Sequence, residues 1–132
     1  MPGFSDYLET ALLNATLRNT AYASPATVYV GLLTADPADS NVVAEVTGGA
    51  YARQAIAFGA PAVNGTAQRC SNSAQITFPQ ATAAWGNITN FGIFDAAAAG
   101  NLMYSGALSA AKTIANTDQL VFAIGTVTVD LD

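Results

Sequence analysis

The segment NFGIFDAAAAGNLMYSGAL, residues 90–108, constrains the fold most, because apolar side chains occupy consecutive positions on both sides of one turn. A half-buried strand needs apolar residues only at alternate positions, since successive side chains point to opposite faces of a sheet. Phe91 and Ile93 point to one face and Phe94 points to the other. The segment therefore predicts two strands, at about 86–94 and 101–108, that are covered on both faces.

The rest of the chain is poor in charge. Four basic and nine acidic residues among 132 give a net charge of −5, and only 10% of the residues are charged, against about 25% in an ordinary soluble domain. So few charged side chains cannot hydrate the whole protein surface. We therefore expect another copy or another protein to cover part of that surface. The basic residues are scattered, which argues against binding to nucleic acid or to a membrane surface.

A single domain is expected over residues 1–132. The stretch SDYLETALLNATLRN predicts a helix at about 5–18, with Ser5 or Asp6 at its N-terminus and leucines at helical spacing. From residue 27 onward, short alternating segments are separated by Gly, Pro, Asn and Asp, which is typical of strands and turns. Residues 41–49 fit either a short edge strand or a packed loop.

The pattern contains about seven or eight strands after one helix. It predicts a mainly β fold, an antiparallel β-sandwich with jelly-roll-like character, at about 27–132. The pair Asn64–Gly65 suits a type I′ hairpin turn, because both residue types tolerate positive φ.

No catalytic constellation is visible. The chain contains no histidine, which excludes Ser–His–Asp and Cys–His arrangements and imidazole metal ligands. Its aspartates fall at turns and chain ends, where capping is their ordinary role. Cys70 is the single cysteine, so no disulfide can form within the chain. We therefore expect no catalytic, cofactor-binding or metal-binding residues, and a protein that is not an enzyme.

Several phrases together resemble a family of small structural proteins of tailed bacteriophages. They are FSDYLETALLN, TAYASPATVYVGLLTADP, GGAYARQAI, ITFPQATAAWGNITNFGIFDAAAAGNLMYSGAL and the ending TVTVDLD. The resemblance covers nearly the whole chain and is most specific in WGNITNFGIFDA and GNLMYSGAL. It implies a virion component, head-decoration or tail-fibre-like, that is assembled in the bacterial cytoplasm without disulfides. The family offers no catalytic motif.

Our leading interpretation is a capsid decoration, or cement, protein that forms a homo-oligomer, with a trimer favoured, and clamps subunits of the major capsid protein. A tail-fibre or baseplate-associated adaptor is the alternative, and a host carbohydrate- or receptor-binding module is a third. The apolar residues that we expect at interfaces are Leu8, Leu12, Trp85, Phe91, Phe94, Met103 and Tyr104.

Two explanations fit the doubly apolar hairpin at 90–108. In the first, one face fills the core between the sheets and the other meets a partner copy. In the second, the helix at 5–18 covers the other face within the same chain.

Overall fold

The computed structural model describes residues 3–40 and 44–132. In this part of the chain it contains one helix, α1 (Asp6–Leu17), and ten strands. The strands are β1 (Gly3–Phe4), β2 (Val28–Leu33), β3 (Gln54–Ile56), β4 (Ala62–Asn64), β5 (Ala67–Ser71), β6 (Ile76–Thr77), β7 (Gly86–Phe94), β8 (Leu102–Ile114), β9 (Val121–Phe122) and β10 (Thr128–Leu131). The predicted mainly β fold with an N-terminal helix is confirmed, with more strands than the seven or eight expected.

The strands form antiparallel sheets. The largest has five strands in the order β1-β8-β7-β2-β3, a second has the order β10-β5-β4, and β6 pairs with β9. One buried cluster takes Val30 and Ile93 from the large sheet, Phe122 from β9 and Val129 from β10. The core therefore lies between the large sheet and the smaller ones, as the predicted β-sandwich requires.

Aromatic rings occupy the centre of this core. Phe78 has no exposed surface, and its ring centroid lies 6.5 Å from that of Trp85 and 6.0 Å from that of Phe122. Tyr51 stacks 6.2 Å from Phe78 and meets Trp85 edge-on at 5.4 Å. Edge-to-face pairs of this kind add to the stabilisation from buried area, since the positive edge of one ring meets the negative face of another.

The other face of the large sheet is also covered within the protomer. Phe94 is buried in a second cluster with Leu33 and Leu102, and the guanidinium carbon of Arg53 lies 3.6 Å from the centre of its ring. The hairpin strands β7 and β8 are thus buried on both faces where they are most apolar. Around Phe94 the second face is therefore covered within the chain, by the Arg53 side chain. That the helix covers this face, as in the second explanation, stays a prediction.

Helix α1 begins and ends where the sequence predicts. Ser5 is its N-cap, and the Ser5 Oγ accepts the backbone N–H of Leu8 at 3.2 Å. The Ser5 N–H donates to the carbonyl of Met103 at 2.8 Å. These two bonds fix the start of the helix on β8, and Leu8 is buried beneath it.

The structure corrects the predicted turn at Asn64–Gly65, and part of the ambiguous 41–49 stretch lies outside the described residues. The β4–β5 turn is formed by Gly65 and Thr66, one residue later than predicted. Only Gly65 has positive φ, which suits a type II′ turn rather than type I′. In the ambiguous 41–49 stretch, residues 41–43 are outside the described part, and Glu45 forms an isolated antiparallel bridge with Leu33.

Candidate interaction surface

The side chains predicted at interfaces are mostly inside the protomer. Five of the seven are buried: Leu8, Trp85, Phe91, Phe94 and Met103. Leu12 and Tyr104 are partly buried. Five of the seven therefore present little surface to a partner in this conformation, and their role in assembly stays a prediction.

The Trp85 ring is buried in the core, so it is not available at the surface to stack on a ligand. It is 5% exposed, and its indole N–H donates to the carbonyl of Gly49 at 2.9 Å. A buried indole with a satisfied N–H anchors a core. It cannot stack on a sugar ring in this position.

Tyr104 lines an apolar cleft of about 220 Å³ between the large sheet and the β10-β5-β4 sheet. We call this the Tyr104 cleft. Its walls are Val28, Phe58, Pro61, Gln68, Cys70, Ile93, Met103, Tyr104, Val129 and Leu131. Burial raises the pKa of the Tyr104 hydroxyl, with smaller contributions from Tyr22 and Cys70. The hydroxyl therefore stays protonated at neutral pH.

A charged clamp holds the turn between β7 and β8. Arg53 makes a two-pronged ion pair with Glu45, with both N···O distances at 2.8 Å, and both side chains are largely buried. The remaining guanidinium nitrogen donates to the carbonyls of Ala96 and Ala99 at 2.9 and 2.8 Å. Such a planar fork with five donors suits simultaneous binding of a carboxylate and carbonyl oxygens.

Tyr51 and Gly31 complete the clamp. The Tyr51 hydroxyl donates to Glu45 at 2.6 Å and accepts the Leu32 N–H at 2.9 Å. Burial and the bond to Glu45 raise the pKa of Tyr51, so it remains a donor. A Cβ atom at Gly31 would lie only 2.8 Å from the Glu45 carboxylate. The clamp therefore needs glycine at this position.

The clamped turn, residues 95–101, presents alanines to solvent. Asp95 closes it by accepting the backbone N–H of Asn101 at 2.7 Å and the Asn101 side-chain amide at 3.0 Å. Ala99 has φ of 53°, an uncommon conformation for a residue with a Cβ atom. Its carbonyl is one of those bound by Arg53, so the charged clamp helps to hold this conformation.

The second half of β8 differs from the first, because it lies at the solvent-facing margin of the fold. Residues 107–113 are exposed apart from the half-buried Leu108. We call this strand segment, with the groove beside it, the open flank. The groove measures about 470 Å³ and is lined by Phe91, Ala107, Leu108, Ser109, Lys112, Val121, Phe122, Ala123, Thr126, Val127 and Thr128.

Sequence reasoning missed the open flank. We predicted that the second hairpin strand would end near residue 108, whereas β8 continues to Ile114. The segment ALSAAKT, residues 107–113, contains no Pro or Gly to end a strand, and that absence is the signal available in the sequence.

Exposed apolar side chains lie beside the open flank and on the helix. Ile124 is 64% exposed, next in the chain to the groove residues Val121, Phe122 and Ala123. Leu13 and Leu17, 57% and 77% exposed, lie one turn apart on the helix face away from Leu8. Together with the low charge, these side chains favour contacts with other protein surfaces over chemistry.

The described residues contain no group of three or more His, Cys, Asp or Glu side chains placed to hold a metal ion. Within the same ranges, α1 is too short to cross a bilayer and no other helix is available to do so.

Comparison with known proteins adds the family. Among curated proteins no sequence matches the chain. The family profile described as podophage GP4 fiber I protein gp80 matches residues 3–130, and this confirms the resemblance to structural proteins of tailed-phage virions. Since the match spans nearly the whole chain, the chain belongs to the family of the podophage GP4 fiber I protein gp80.

Proposed function

We propose that this chain is a tail-fibre-type structural module of a tailed-phage virion and that it is not an enzyme. The observation that carries the proposal is the family match over residues 3–130 to a phage fibre protein. The chain is then a virion component whose work is to hold other proteins in place.

The geometry supports a role in protein contact. The charged groups of the clamp and the aromatic core are engaged in holding the fold together. The accessible surfaces described above are poor in charge: the open flank carries one charged side chain, Lys112, and the Tyr104 cleft and the outer leucines of α1 carry no Asp, Glu, Lys or Arg. Surfaces of this kind gain free energy when they are buried against another protein, at about 25 cal/mol per Å² before association costs.

The partners are proposed on the same basis. They are copies of this chain, with the trimer still an untested prediction, and neighbouring virion proteins. The major capsid protein is the neighbour if the chain decorates the head, and a tail protein is the neighbour if it belongs to a fibre. We favour the tail because the matching family is named for a fibre.

Copy number and position in the virion test this proposal. We would quantify the chain by mass spectrometry against the major capsid protein in purified virions, and locate a tagged copy by electron microscopy. A fibre module is expected at the tail, in a few to tens of copies. Hundreds of copies with the tag over the capsid faces would overturn it in favour of capsid decoration.

A further inference from the structure

Strand β1 and helix α1 form a unit that is attached to the rest of the fold mainly at one end. We call this unit, residues 3–18, the β1–α1 arm. Of the residues in α1, Leu8 is the one that is buried. The contacts at the start of the arm are the pairs Gly3↔Ser105 and Phe4↔Tyr104, the edge-on contact of the Phe4 and Tyr104 rings at 5.2 Å, and the backbone bonds from Ser5 to Met103 and from Asp6 to Asp39. The outer part of the helix is therefore held only loosely by the fold.

The link between the arm and β2, residues 19–27, is long and exposed. We call it the connector. Apart from the half-buried Tyr22 and Pro25, its residues are exposed. In the part of the chain that the structure describes, the hydrogen bonds of the connector are those of Thr20, and they go to Asn14 and Arg18 of the arm itself.

The connector is long enough to reach an adjacent copy. At about 3.3 Å per residue, residues 19–27 span about 30 Å when extended. A folded chain of this length has a radius of gyration of about 14 Å. The connector can therefore carry the arm onto the body of a copy that lies in direct contact.

Helix α1 is apolar on two faces, and the chain's own fold buries one of them. Leu8 is buried and Leu12 is half-buried on the face toward the sheet. Leu13 and Leu17 are largely exposed on the face away from Leu8. A helix with apolar residues on both sides is suited to a position between two layers of protein.

Exchange of the arm between copies would retain the contacts that it makes within one chain. The arm of one copy would meet Met103, Tyr104 and Ser105 of the next copy in the same geometry, so the two surfaces are already complementary. The free-energy cost is that of association, and it is offset by apolar surface buried between the two bodies, with Leu13 and Leu17 among it.

We propose that in the assembled protein the β1–α1 arm of each copy docks on β8 of an adjacent copy. Phe4, Ser5 and Leu8 of the second copy then take the places that the chain's own residues hold in a single molecule. The supplying copy lies on the outer side of β8, to which the open flank also belongs. The inference rests on the proposed role as an assembling structural module, and it names the contact that joins the copies. A ring of such exchanges closes with two copies or with three.

A disulfide between the arm and β8 distinguishes exchange from docking within one chain. Gly3 and Ser105 are directly opposite each other in an antiparallel pair, where Cα atoms are about 4.5–5.5 Å apart, within the range that a disulfide spans. We would prepare Gly3→Cys/Ser105→Cys in a Cys70→Ala background and oxidise the assembled protein, with the assembly identified by light scattering. Exchange is expected to give covalently linked chains on a non-reducing gel, and docking within one chain gives only the mass of one chain.

The matched controls are the two single-cysteine variants in the same background, which are expected at the mass of one chain on the same gel. Circular dichroism checks that each variant is folded, and mass spectrometry of digested protein identifies the bond. If the first pair does not oxidise, Phe4→Cys/Tyr104→Cys at the neighbouring pair gives the same readout.

An intrachain disulfide in the assembled protein would overturn the exchange. A wild-type chain that stays monomeric at every concentration would overturn it as well. Neither result bears on tail location, which the copy-number experiment decides separately.

Discussion

The two halves of β8 belong to one strand and are both low in charge, with Lys112 as the one charged side chain, yet one half is buried and the other is exposed. Residues 102–106 are buried apart from the half-exposed Tyr104, and they have β7 on one side and, at Tyr104 and Ser105, β1 on the other. Residues 107–113 are largely exposed, and their outer edge is unpaired in the part of the chain that the structure describes.

If the chain assembles as proposed, this difference assigns folding to the side chains of the first half of β8 and assembly to those of the second. The first half is apolar because it lies between the core and the Phe94 cluster, so its side chains stabilise the protomer. The second half is also low in charge, although most of its side chains are exposed and burial does not require it. Low charge on an open edge is a liability in a monomer and is useful in a protein that works by packing against its neighbours.

Truncation of the buried half should have the largest effect on stability. Leu102 has no exposed surface, so Leu102→Ala removes buried carbons and leaves a cavity, at an expected cost of about 3–4 kcal/mol in the free energy of unfolding. Leu108→Ala, on the open half of the same strand, should cost much less in dilute protein. Urea denaturation followed by the fluorescence of Trp85 measures both, and equal costs would contradict the contrast.

Loss of the charged clamp should be next in size. Arg53→Met leaves Glu45 largely buried without its ion-pair partner, at an expected cost of about 2–3 kcal/mol. The double variant Arg53→Met/Glu45→Gln should recover part of this loss, because no unpaired charge remains. Urea denaturation of the three proteins tests this, and a double variant less stable than Arg53→Met would contradict it.

Removal of the helix cap should be a smaller change. Ser5→Ala deletes the acceptor for the Leu8 N–H, at an expected cost of about 1 kcal/mol. Ser5→Asn restores an acceptor and serves as the matched control. Thermal unfolding should rank the wild type and Ser5→Asn above Ser5→Ala, and an unchanged melting temperature in Ser5→Ala would contradict the capping role.

The smallest effect is expected from the ion pair on the second sheet. Arg69 donates to both carboxylate oxygens of Asp130, at 2.6 and 2.8 Å, and this bonding lowers the pKa of Asp130. The stabilisation is therefore complete above the ordinary aspartate pKa, about 3.9, and is lost as the pH falls through the lowered folded-state pKa.

Melting temperatures between pH 6 and pH 2 measure this contribution. The wild type should exceed Asp130→Asn slightly at the upper end of the range, and the two should converge toward the acidic end. A difference that grows as the pH falls would contradict the assigned direction of the pKa shift.

Local signals predicted much of the fold. Ser5 and the spaced leucines of 8–17 define α1 because capping and helical periodicity act over a few residues. The bounds of β7 also agree with the prediction of a strand at about 86–94, since alternating apolar residues between turn residues specify a strand directly.

The remainder depends on long-range contacts. The continuation of β8 to Ile114 depends on pairing with Gly86–Ile88, and alanine-rich residues carry little strand preference that would announce it. The charged clamp brings Arg53 to Ala96 and Ala99 across more than forty residues of chain. No periodicity encodes such a distance, so the sequence predicted two apolar faces on the hairpin without showing what covers the second one.

Amide hydrogen exchange along β8 tests the central claim most directly, because it compares the two halves within one molecule. We would follow peptides from 102–106 and 107–113 by mass spectrometry over a dilution series of the wild-type chain. The first half should be protected at every concentration, and Leu108–Ala111, which have no partner in register on β7, should gain protection only where the protein is assembled. Fast exchange of Leu108–Ala111 in the assembled protein would contradict the account, because the open flank would then be free of any partner.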